Sequence, residues 1–136
     1  MNDFDYMNIA INEAKKAYAI DEVPVGAIIV KDGNIISKAY NRKEKDNVAI
    51  RHAEIIAIEK ACLKLNSWRL DGCVLYCTLE PCLMCMGAIQ ESRISRVVYG
   101  CSKSQNYFPG NNLIIDGGIK VNECLCLLQN FFENKR

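Results

Sequence analysis

Seven consecutive residues from Cys73 to Leu79, CVLYCTL, carry no charged side chain, and a proline follows at position 81. A short, continuous apolar run of this kind reads as a strand covered on both faces, as in an α/β sheet. Pro81 cannot extend a central strand, but it suits the start of a helix. The stretch CLMCMGAIQES is therefore predicted as a short helix that begins at Cys82. A strand buried on both sides and feeding directly into a helix demands a layer on each face of its sheet.

The rest of the chain supplies those layers. Residues 3–20 place Met7, Ile11, Ala14 and Tyr18 at helical spacing. VGAIIV reads as a buried strand, KDGN as an Asp-Gly turn and IISKAY as the returning strand of a hairpin. The polar loop NRKEKDN follows. AIRHAEIIAIEKACLKL is predicted to be helical, with Ile50, Ala53, Ile56, Ala57 and Ala61 on one stripe. SRVVYG is a fourth strand, LII a weak fifth, and NECLCLLQNFFENK a last helix with Asn122 as its expected N-cap. The order α-β-β-α-β-α-β-β-α implies a three-layer α/β/α domain with a mixed five-stranded sheet. With 136 residues and no linker or repeat, one domain spanning 1–136 is expected.

Charge excludes little. The net charge of +1 gives no overall basic field for nucleic acid, although a local basic face is compatible with it. The N-terminus has early acidic residues and no continuous apolar core, so it does not read as a signal peptide. The longest apolar run, VPVGAIIV, is too short to cross a bilayer. A cytoplasmic location without membrane association is expected. The chain has eight cysteines. Without an export signal they do not read as a disulfide framework. Six of them, Cys62, Cys73, Cys77, Cys101, Cys124 and Cys126, sit among apolar residues and are expected to pack as small hydrophobes.

Cys82 and Cys85 have a different context. C-x-x-C alone fits a redox pair as well as a metal site. Two thiols on one face of a helix's first turn are favoured as thiolates by the helix dipole. The only histidine, His52, lies thirty residues upstream near the start of another predicted helix. If CVLYCTL runs parallel to VGAIIV or its neighbour, both helix starts open at one sheet edge, where α/β sheets place ligands. One His and two Cys leave the fourth position of a tetrahedral zinc open, which is the catalytic pattern. Glu54, two residues after His52, can move protons to and from a water that zinc has acidified. A redox role would leave HAE unused, and a structural zinc would need a fourth protein ligand. No organic cofactor is called for.

H-x-E followed by P-C-x-x-C is the signature of zinc nucleobase deaminases. DEVPVGAIIV, YNR, HAEIIAI, LYCTLEPCLMCMGAI, SRVVYG and GIKVNECLCLLQNFF, in that order, resemble the bacterial tRNA-specific adenosine deaminases over nearly the whole chain. The resemblance implies a cytidine deaminase-like fold, one Zn2+ per chain, and a homodimer acting on the tRNA anticodon loop, where the wobble adenosine (position 34) becomes inosine. By the same resemblance His52, Cys82 and Cys85 match the zinc ligands and Glu54 the proton shuttle. Asn41 matches the residue that hydrogen-bonds the base, and Val25 a residue lining the base pocket. A neutral amide that both donates and accepts suits Asn41 to that task. Glu80, before Pro81, is read as structural.

The segment CSKSQNYFPGNN departs from the family pattern. Lys103 stands where an acidic residue is expected, the loop from Cys101 to Asn112 is shorter, and the basic tail of many relatives is missing after FFENKR. Tyr107 and Phe108 are placed either to stack on a base or to pack on the sheet. Lys15, Lys16, Arg42, Lys43, Lys45, Lys103, Lys135 and Arg136 are candidates for a basic rim. The altered loop keeps an alternative open: deamination of a free base or nucleoside, of guanine or cytosine type, by the same zinc chemistry.

Overall fold

A computed structural model of the chain describes residues 1–102 and 113–135. Helix α1 (Asp3–Ala19) opens with a reciprocal cap: the Asp5 amide donates to Asn2 Oδ1 and the Asn2 amide donates to Asp5 Oδ2, both at 3.0 Å. Its buried Met7, Ala10, Ile11, Ala14 and Ala17 form the 3.6-residue stripe that faces the sheet. Strands β1 (Gly26–Lys31) and β2 (Asn34–Tyr40) make the expected hairpin. Asp32 and Gly33 turn it with φ of 51° and 78°, the two left-handed residues a tight hairpin turn needs.

The segment 41–47 is more than a loop, because Lys43–Asp46 forms a one-turn helix, α2. Asn47 then adopts a left-handed conformation, φ 52°, and Val48–Arg51 folds as tight turns. Helix α3 (Ala53–Leu65) consequently starts later than the apolar stripe predicted, and Ile50 lies outside it, 52% exposed. Strand β3 (Cys73–Leu79), helix α4 (Leu83–Glu91), strand β4 (Arg96–Cys101) and the short β5 (Ile114–Asp116) follow. Helix α5 (Val121–Glu133) is led by Lys120 in a left-handed conformation, φ 56°. Asn122 sits inside its first turn and is not the N-cap, since Lys120 has already turned the chain.

The sheet order is β2-β1-β3-β4-β5. β1 alone runs against the other four strands, which all point the same way. Alternate residues of each central strand feed two cores. Ala27, Ile29, Leu75, Cys77 and Val97 join Ile56, Ala57, Met86 and Ile89 of α3 and α4. Ile28, Val30, Tyr76 and Val98 join Met7, Ala10 and Cys124 of α1 and α5. This is the α/β/α arrangement read from the sequence. Four of the six cysteines expected to pack are buried in these layers; Cys62 is only half-buried and Cys126 is exposed on α5. The amphipathic stripe of α5 rotates Cys126 outward while Cys124 points in.

Because β1 is antiparallel to both β2 and β3, those two strands run in the same direction. The condition set from the sequence is met through the hairpin partner rather than through VGAIIV itself. The chain leaves β2 and β3 at one edge, and α3 and α4, packed on the same face, both begin there.

Candidate active site

Two helix starts converge at this edge. His52 is the N-cap of α3 and Cys82 the N-cap of α4, both in extended conformation. Neither side chain caps its own helix. Cys85, fully buried, lies one turn into α4. His52 Nδ1 is 3.7 Å from Cys82 Sγ and 3.5 Å from Cys85 Sγ. With Zn–N and Zn–S bonds of about 2.05 and 2.3 Å, the N···S edge of a tetrahedron is about 3.6 Å. The donor set thus already has the spacing that a zinc ion requires. Among the described residues it is the one group of three metal-capable side chains whose ligand atoms lie within 4.8 Å of one another. Nδ1 is the nitrogen that faces the thiols, so a liganding ring carries its proton on Nε2. Burial pushes the Cys85 thiol far above the ordinary range, and the Glu54 charge adds to this. A thiol in that setting ionises only with a cation beside it, which is what a bound metal provides.

A cavity of about 200 Å³ opens over His52 and Cys82. Val23, Val25 and Leu79 give it apolar walls, and Asn41, Glu54 and Glu80 give it polar ones. Glu54, 4% exposed, is in the first turn of α3, beside the metal-capable cluster. Asn41 is buried, and its backbone amide donates to the Val25 carbonyl at 3.0 Å, which fixes the two walls to each other. Glu80 accepts the Ser102 hydroxyl at 2.7 Å and its amide donates to the Cys101 carbonyl at 2.8 Å. It therefore ties the turn after β3 to the end of β4 while lining the cavity.

All six residues singled out from the sequence meet here: Val25, Asn41, His52, Glu54 and Cys82 line the cavity, and Cys85 lies beneath it. Sequence reasoning missed Glu22. It is 1% exposed, and its carboxylate accepts the amides of Glu44 at 3.1 Å and Lys45 at 2.6 Å, holding α2 at the cavity mouth. The available signal was an acid placed directly before a buried strand, with a loop of uncapped amides downstream. Of the candidate basic residues, Lys43 alone among those described lines the cavity. Lys103, Tyr107, Phe108 and Arg136 lie outside the described residues.

This fold and this donor set define a class. Residues 1–101 match the cytidine and deoxycytidylate deaminase zinc-binding region, so the chain belongs to that zinc-binding family. Within it, the chain is a member of the tRNA-specific adenosine deaminases. It is 41% identical to the tRNA-specific adenosine deaminase of Bacillus subtilis (strain 168), over 96% of this chain and 89% of the relative. A solved structure of a tRNA:A34 deaminase, from work on A-to-I editing at the wobble position, superposes with a TM-score of 0.83 and 36% identity over 91% of this chain and 99% of that one. Guanine deaminase from Bacillus subtilis superposes with a TM-score of 0.72 and 39% identity, over 75% of this chain and 66% of that one.

Proposed function

We propose that this chain is a zinc-dependent hydrolase that converts adenosine to inosine at position 34 of tRNA. The observation that carries the reading is the pairing of His52 Nδ1, 3.5 and 3.7 Å from two thiols, with a cavity walled by Glu54 and Asn41. His52, Cys82 and Cys85 would hold a zinc ion, which when bound would acidify a water and so make a nucleophile available at neutral pH. The Glu54 carboxylate takes the proton and returns it to the departing amine. Its burial keeps bulk water from competing for that proton. Asn41 holds the polar edge of the flipped base, and Val25 packs against its face. The tRNA substrate is supported by tRNA-specific adenosine deaminases that match 96% of this chain.

The chain works as a single domain in the cytoplasm, where its substrate is found; among the described residues no helix is long and apolar enough to cross a membrane. It works as a homodimer. Leu83 and Met84 on α4, 69% and 39% exposed, and Val48 and Ile50 before α3 give apolar surface beside the site for a second copy.

The likeness to guanine deaminase favours a second reading, hydrolysis of a free base. One assay separates them: purified protein is given an anticodon stem-loop with adenosine at the wobble position and, separately, guanine, cytosine, adenosine and cytidine. Inosine forms in the RNA, and Glu54→Gln lowers its rate by at least about 100-fold while zinc content stays the same. Ammonia from a free base with no inosine in the RNA refutes the tRNA reading.

A further inference from the structure

We propose that Lys43 receives the phosphate of the nucleotide whose base occupies the cavity, and that Glu22 is the positioning residue that keeps it there. The inference rests on the tRNA reading above. Around the cavity, His52, Cys82 and Glu54 face the reacting centre and Asn41 the base edge, while Lys43 is exposed at the mouth. A base inside the cavity must leave its ribose and phosphate at that mouth, where only a nucleotide, and not a free base, presents an anion. Of the neighbouring cations, Lys45 lines a different cavity, with Asp21 and Phe131, and the two arginines are paired. Arg42 pairs with Asp46, and Arg51 with Asp46 and Glu59. Lys43 takes part in no ion pair among the described residues.

Two backbone amides of the same turn are not free for this work. The amides of Glu44 and Lys45 already donate to the two carboxylate oxygens of Glu22. An incoming phosphate therefore meets the Lys43 ammonium, a compact point charge suited to it. Glu22 follows the end of α1, and its neighbours Val23 and Val25 line the cavity. One buried carboxylate thus fixes α2 relative to the wall that holds the base. Without it, two amides lose their partners and the turn loses its anchor.

Initial rates on the anticodon stem-loop across a potassium chloride series test this. Lys43→Gln raises KM roughly three- to tenfold at low salt, and it makes the slope of log KM against log salt shallower by about 0.7, the value for one phosphate contact on a single strand. Lys64→Gln, at the far end of α3, leaves the slope as it is. Glu22→Ala raises KM more than it lowers kcat, Glu22→Gln recovers part of the loss by keeping one acceptor, and adding Lys43→Gln to Glu22→Ala costs little more. If the wild type edits the stem-loop and Lys43→Gln keeps the full salt slope, the inference is overturned alone. If the wild type neither binds nor edits the stem-loop, the tRNA reading falls and takes the inference with it.

Discussion

Asp3 and Arg96, 93 positions apart in the chain, form a two-pronged ion pair at 2.8 and 3.0 Å that joins the first turn of α1 to the start of β4. Tyr76 donates its hydroxyl to the same carboxylate at 2.7 Å, and Arg96 also reaches Asp116 on β5 at 2.8 Å. The Arg96 guanidinium holds the Asp3 carboxyl below its ordinary value of 3.8. A depressed carboxylate contributes stability that is complete above its unfolded value and is lost as pH falls through the lower folded one. Asp3→Asn should cost about 1–2 kcal/mol at neutral pH. Thermal melts from pH 7 down to pH 2.5 check this: the gap between wild type and variant closes below about pH 4, as the wild type loses the pair.

In the proposed function, Asn41 both donates and accepts on one base edge. Asn41→Asp keeps the shape and removes the donor, and Asn41→Ala removes both functions. Each should lower kcat/KM for the stem-loop by about 10- to 100-fold, the alanine more, which corresponds to leaving one or two polar groups of a bound base unpaired. Circular dichroism melts within a degree or two of wild type would show that the loss is local.

A Cβ at Gly26 would stand 2.0 Å from the Ala10 carbonyl oxygen and 2.5 Å from the Ala14 amide nitrogen. Both are backbone atoms of α1, so no side-chain rotation relieves the clash. Gly26→Ala should destabilise the protein by about 1–3 kcal/mol or more, measured by urea unfolding. The Gly26 amide also donates to Thr78 Oγ1 at 3.1 Å, linking this close approach to the end of β3. A loss of activity at temperatures well below the melting point is therefore expected to accompany it.

Metal removal should abolish activity. A strong chelator strips about one zinc per chain, lowers the melting temperature because the folded state loses a tight ligand, and is reversed by one equivalent of zinc. Cys82→Ser and His52→Ala should purify with reduced zinc. In the stripped protein, Cys82, which is half-buried, should react with a thiol reagent faster than Cys85, whose burial holds it neutral.

The fold was legible because its strongest signals are local. The uncharged run at Cys73–Leu79 and the proline after it reappear as β3 and the start of α4. The ligand set was legible because HAE and PCLMC each mark a helix start, and β2 and β3 run the same way. What escaped the sequence were features set by non-local geometry. Ile50 belongs by spacing to the stripe of α3, but the left-handed Asn47 and the turns that follow delay the helix. Glu22 looks like a surface acid until α2 folds across it. Cys126 resembles Cys124 in its neighbours, and only the rotation of α5 tells them apart.

The reversed direction of β1 has one more effect. Its starting end, from Val23 to Gly26, lies against the cavity, so its finishing end and the Asp32–Gly33 turn lie at the opposite edge of the sheet. That turn is exposed, and so is Asn34 after it, while Gly33, with φ of 78°, has to stay glycine. It is the natural handle of the molecule: a fluorophore, a tether or a fused domain attached there would stand clear of the entrance that an RNA loop uses.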